Sequence, residues 1–248
     1  MDQKSWDAFL KTKKKYQNIV ADISNSLPNL KKIQQNFADN RNEGSYKVDT
    51  PVVYNTSLDE ITKESEIKLI LVADNPGKKE QSKENNKYLV GASGKIANNF
   101  FKNNIVLDID FYKNVIILNK TPIHSARTVE LKKLILNYND LTEVLKSSQV
   151  SMANILYDFQ NSLKVPVWII GYSEMKPKGI FESYTNTLKQ ICLKNKDFCD
   201  NLYIFRHFSM NQFNIDLKKK TLKGEPLKNS LTRIGEFYKN KVLEYENR

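Results

Sequence analysis

Four short apolar runs, spaced too widely for hairpins, constrain this chain more than any other feature. They occupy residues 67–73, 114–119, 165–171 and 202–205. The first three are nearly continuous rather than alternating, as in strands buried on both faces. Helical patterns fill the intervals. Residues 94–102 carry Ile96, Phe100 and Phe101, and 129–137 repeat Leu131, Leu134 and Ile135. Residues 144–163 continue with Leu145, Ile155, Leu156 and Phe159, and 179–193 with Phe181, Tyr184, Leu188, Ile191 and Cys192. Strands alternating with helices predict a parallel sheet covered on both faces. The expected fold class is α/β, a three-layer α/β/α sandwich around a four-stranded parallel sheet.

Helical extensions flank this core. Phe9, Tyr16, Ile19, Val20 and Ile23 repeat at helical spacing near the start, and Leu231, Ile234, Phe237, Tyr238 and Val242 near the end. The 248 residues show no repeat and no linker that would split them. They are expected to form one domain, with its core at about 67–213 and flanking helices within 1–40 and 226–246. Apolar residues at 40% and charged residues at 27% fit a globular chain. No apolar run approaches the roughly 18 residues of a membrane span. Residues 1–6 lack the apolar core of a signal peptide. Cys192 and Cys199 form neither a C-x-x-C pair nor a disulfide framework. These features predict a soluble, cytoplasmic protein, expected to be a monomer, with no membrane partner.

Lys and Arg total 39 against 28 Asp and Glu, a formal charge of +11. Such an excess favours a polyanion, because neutralising phosphates releases counterions. The chain is also rich in both Lys and Asn, and runs such as Lys218-Lys219-Lys220 are ordinary solvated faces as well. Charge therefore makes nucleic acid a candidate without singling it out.

Open α/β sheets bind ligands beyond the carboxyl ends of their strands. The first run ends in Ala73-Asp74-Asn75-Pro76-Gly77, the second in Asn119, and the fourth runs into Arg206-His207-Phe208-Ser209. One cleft could collect Asn75, Asn119 and His207. Each has a plainer reading: Asn-Pro-Gly is ordinary turn chemistry, Asn119 a strand-end cap, and His207 a hydrogen-bonded structural histidine. His124 reads as structural or as a phosphate contact, and Ser93-Gly94 as a helix cap.

Taken together and in this order, the motifs resemble the uracil-DNA glycosylase superfamily. Val72-Ala73-Asp74-Asn75-Pro76-Gly77 is similar to its G-x-x-P-G element, with Asn before the proline as in the mismatch-specific and single-strand-selective branches. Residues 88–94, reading YLVGASG, resemble the P-F-V-G-x-A-G stretch of the iron–sulfur branch. Val115-Ile116-Ile117-Leu118-Asn119 is similar to the L-L-L-N strand, and His207-Phe208-Ser209 stands at H-P-S. The likeness spans residues 67–213. Four departures accompany it. Ala73 replaces a Gly, Leu89 stands where the base-stacking Phe belongs, Phe208 replaces a Pro, and Asn211 falls where some branches place a Leu wedge.

The resemblance implies a DNA glycosylase that flips uracil or another deaminated base from single- or double-stranded DNA and hydrolyses its glycosidic bond. His207 would donate to the base O2 as negative charge develops, and Asn119 would read O4 and N3–H. Asn75 would position water. Asp74 is the nearest carboxylate, with its role open because adjacent strand residues face opposite ways. Pro76, Gly77, Leu89 and Ser209 would line the base pocket, Tyr88 would supply the missing ring, and Met210 or Asn211 would wedge into the stack. No metal or cofactor is implied. Two alternatives stand beside this expectation: a weak or inactive nucleic-acid-binding protein of the same fold, and a hydrolase of a free nucleoside or nucleotide.

Overall fold

The computed structural model describes residues 1–243, and residues 244–246 of the expected last helix lie outside them. Four strands form one parallel sheet: β1 (Leu69–Ala73), β2 (Val115–Asn119), β3 (Val167–Ile170) and β4 (Leu202–Phe205), in the order β2-β1-β3-β4. All but Tyr203 are buried, as continuous apolar runs require. β1 and β3 are the inner strands, paired in register as Val72↔Ile169, while Ala73 pairs with Asn119 on the other side.

Helices connect these strands. α1 (Gln3–Ser26) and α2 (Leu30–Asp39) precede the sheet, and α3 (Ala92–Asn103) links β1 to β2. α4 (Thr128–Asn137) and α5 (Asn139–Leu163) lead to β3, and α6 (Glu182–Lys194) with α7 (Lys196–Asp200) to β4. α8 (Gln212–Lys220) and α9 (Leu227–Leu243) follow. The chain steps from β1 to β2 in one direction, then back past β1 to β3 and on to β4. Right-handed crossovers therefore put α3 on one face and α5 and α6 on the other, as the alternating pattern predicts. Trp168 carries the first face, with ring centroids 6.3 Å from Phe100, 5.6 Å from Phe101 and 6.0 Å from Phe213. On the other, α5 packs against α6 and against α1.

α1 is anchored by Phe9, Tyr16, Val20 and Ile23, all buried, and its first turn is capped by Asp2, whose Oδ1 accepts from Ser5 N at 2.7 Å. Two short or strongly charged helices, α7 and α8, escape the periodic reading. α8 ends in three lysines and buries little beyond Phe213 and Asp216, so its apolar stripe is too thin to register. The direction of winding reverses between β1 and β3, which makes their carboxyl ends the natural ligand crevice.

Candidate functional site

At that reversal point the residues after the strands continue the register. Asp74 follows β1, Lys120 follows β2, and Gly171 follows β3. Lys120 N donates to the carbonyls of both Ala73 and Asp74 at 3.0 Å, which keeps the two chains together one residue beyond the ladder. The Lys120 side chain is wholly buried. Its Nζ lies 2.5 Å from Asp74 Oδ1, 2.6 Å from the Ile170 carbonyl and 5.0 Å from the Phe181 ring centroid. Burial pushes the ammonium pKa down, and Asp74 opposes that shift. Gly171 adopts φ +91°, and a Cβ there would stand 2.3 Å from Asp74 Oδ1. Only glycine leaves this carboxylate its place.

The Asn75 amide is engaged on both sides. Its Nδ2 donates to the Ser125 carbonyl at 3.1 Å and to Ser125 Oγ at 3.0 Å, while its Oδ1 accepts from Thr128 Oγ1 at 3.2 Å. One lone pair on Oδ1 remains for a water. The same Thr128 hydroxyl, on the first residue of α4, lies 3.4 Å from Asp74 Oδ2. Pro76 is buried. Its carbonyl accepts from Ser125 N at 3.2 Å and from His124 Nδ1 at 2.8 Å. A carbonyl only accepts, so Nδ1 carries the proton and Nε2 accepts from Tyr46 OH at 2.9 Å. Burial lowers the His124 pKa to about 4. His124 is thus a neutral structural clamp on the Asn75 turn, not a phosphate ligand.

The structure corrects the expected stacking ring. Tyr88 points into the core with 2% exposure, its hydroxyl 2.6 Å from Tyr16 OH and 2.5 Å from the Val53 carbonyl. Leu89, at φ +52°, is buried as well and presents no face to a base. Two buried acceptors impose this arrangement. Asn55 Oδ1 takes Tyr88 N at 3.2 Å, and Glu80 Oε1 takes Leu89 N at 2.7 Å. The Leu89 carbonyl then lies over the first turn of α3, where a Cβ on Gly94 would fall 1.4 Å from it. Glu80 Oε2 also accepts from Gly77 N at 2.7 Å, so one carboxylate staples the Asn75 turn to the Leu89 turn. Burial raises the Glu80 pKa to about 7, against the pull of those two N–H groups.

Asn119 ends β2 with 1% exposure, and neither its Nδ2 nor its Oδ1 hydrogen-bonds to the described protein. Leaving buried amide atoms unpaired costs about 1–3 kcal/mol apiece, so such a group asks for a ligand. His207 is half-buried. Its Nδ1 accepts from Ser209 N at 2.9 Å, which leaves the proton on Nε2. Burial lowers its pKa, Asp74 acts upward and Lys120 downward, so a neutral ring offers one N–H donor. Beyond it Met210 (φ +51°) and Asn211 (φ +57°) both turn left-handed. Met210 is 84% exposed, while Asn211 Oδ1 accepts from Asn214 Nδ2 at 2.6 Å. Of the two wedge candidates, Met210 is the free one.

No known protein family, curated protein or solved structure matches this chain. The site rests on its own geometry. That geometry brings Asp74, Asn75 and Lys120 together and excludes Tyr88. Asn119 pairs with Ala73, one position before Asp74 and Lys120, so it leaves the sheet on the opposite face from them. A cleft of about 580 Å³ between α2 and α4, lined by Arg41, Glu43, Arg127 and Glu130, holds none of the strand-end side chains. Among the described residues no group of three His, Cys, Asp or Glu side chains is placed to hold a metal ion, and no helix is long and apolar enough to cross a membrane.

Lys120, Thr128, Glu80 and Gly171 are the residues that sequence reading missed. Lys120 directly follows a strand-ending Asn, and alternation places it beside Asp74 once the parallel register is known. The other three carry no local signal.

Proposed function

We propose that this protein is a DNA glycosylase that hydrolyses the N-glycosidic bond of uracil or another deaminated base. The observation that carries the reading is the Asn119 amide, buried and unpartnered at a strand's carboxyl end. A carboxamide offers one donor face and one acceptor, matching uracil O4 and N3–H. The neutral His207 Nε2–H suits the O2 of a departing base anion, and stabilising that charge is the largest part of such a reaction. Asn75 Oδ1 would orient the water. The net charge of +11 suits a DNA backbone.

One observation favours a second reading, a weak or inactive nucleic-acid-binding protein. Tyr88 and Leu89 leave the expected stacking position without a ring. Both readings meet in one assay. Oligonucleotides containing uracil, hypoxanthine or xanthine are incubated with the protein, and abasic sites are cleaved with alkali. Excision by the parent, lost in folded Asn119→Asp, supports the glycosylase, since a carboxylate repels O4 and cannot donate. Salt-sensitive binding without excision supports the second reading. Parent-rate excision by folded Asn119→Asp removes Asn119 from the site.

A further inference from the structure

The proposed hydrolysis needs a group to take the proton of the attacking water, and Asn75 cannot do so because an amide is not a base. Resting on the glycosylase reading, we infer that Asp74 is that base, reached through the Thr128 hydroxyl, with Lys120 as its positioning residue. Asp74 Oδ1 is turned to the wholly buried Lys120 Nζ at 2.5 Å and fills the space left by Gly171. Oδ2 is not taken by Lys120 and faces the Thr128 hydroxyl. Asp74 leaves the strand on the face opposite Asn119, and the hydroxyl of Thr128 connects it to the Asn75 amide. It lies 3.4 Å from Asp74 Oδ2 and 3.2 Å from Asn75 Oδ1, the atom assigned to hold the water.

The step balances within these groups. The water oxygen bonds to the sugar C1′ as the C1′–N bond breaks, and that electron pair leaves with the base, whose anion faces His207 Nε2–H. With its one hydrogen turned from Asn75 Oδ1 to Asp74 Oδ2, Thr128 gives that proton to Asp74 while its Oγ1 takes one from the water. Lys120 touches neither water nor substrate. It fixes the carboxylate in place, and its second hydrogen bond, to the Ile170 carbonyl at 2.6 Å, ties the ammonium to the end of β3.

The test is single-turnover excision on the oligonucleotide base that the parent removes, together with binding to abasic product. Asp74→Asn and Thr128→Val are nearly isosteric. Asp74→Asn is expected to slow excision about 10²–10⁴-fold, the usual contribution of a general base, with product binding nearly intact. Thr128→Val should slow it in the same direction. Lys120→Met should slow excision with product binding nearly intact, because a carboxylate no longer held by the ammonium leaves its place beside Thr128. Lys120→Arg should restore part of the rate, which keeps the test open if Lys120→Met folds poorly. A parent that excises while folded Asp74→Asn keeps its rate overturns the inference and leaves the glycosylase reading standing. A Thr128→Val variant at parent rate overturns the relay. A parent that excises no base overturns the reading and this inference with it.

Discussion

Gly171→Ala is the perturbation whose cost the structure sets most directly. Two separable penalties apply. The first is conformational: φ is +91°, and an L-residue in left-handed space costs about 1–2 kcal/mol. The second is steric and electrostatic. The new Cβ would lie 2.3 Å from Asp74 Oδ1, so the carboxylate must move away from Lys120 Nζ. Breaking a buried ion pair costs about 3–5 kcal/mol, and the 14% exposure of Asp74 places this one at the low end. Gly224→Ala supplies the control, because Gly224 has φ +78° with nothing within 4 Å of a Cβ. Both substitutions lower unfolded-chain entropy alike, so that contribution cancels between them. Urea unfolding followed by circular dichroism is expected to give a loss of about 4 kcal/mol for Gly171→Ala against ~1 kcal/mol for Gly224→Ala. Equal losses would show that Asp74 yields freely and that the Lys120 pair does not hold it.

Tyr88→Phe should cost about 1–3 kcal/mol, since it leaves the Val53 carbonyl and Tyr16 hydroxyl short of a partner, yet leave base excision at the parent rate; a large kinetic defect would return Tyr88 to the site. Two buried groups give opposite pH slopes. His124, lowered from 6.5 to about 4, has stability that is present above pH 6.5 and lost as pH falls to 4, because the unfolded chain binds the proton first. Glu80, raised from 4.5 to about 7, loses stability as pH rises through that window, because the folded chain holds the extra proton. Glu80→Gln should therefore make stability climb from pH 4.5 to 7 more steeply than in the parent, by roughly 3 kcal/mol over the window, and parallel urea-unfolding profiles would refute the assignment. Oligonucleotide affinity should fall steeply with salt, with a log–log slope near −0.9 per phosphate neutralised; a flat plot would make the +11 charge plain solvated surface.

The sequence by itself determined the sheet and the places to look on it. Buried parallel strands are written as continuous apolar runs, so all four strands were legible, and the rule that ligands gather at strand carboxyl ends reached Asn75, Asn119 and His207 without coordinates. The sequence also carried Asp74 and Lys120, but not their pairing. In a chain with 39 Lys and Arg, one more lysine reads as solvated. Only the β1–β2 register sets Lys120 beside Asp74 and buries it. Tyr88 failed for the converse reason. An aromatic beside a motif position looks available until the buried acceptors Asn55 and Glu80 fix the turn and drive the ring against Tyr16. Strand character is a local property of side-chain pattern. Which polar group is buried, paired or left open depends on residues as far as 46 positions away for Asp74 and 72 for Tyr88, and that is decided only when the chain has folded.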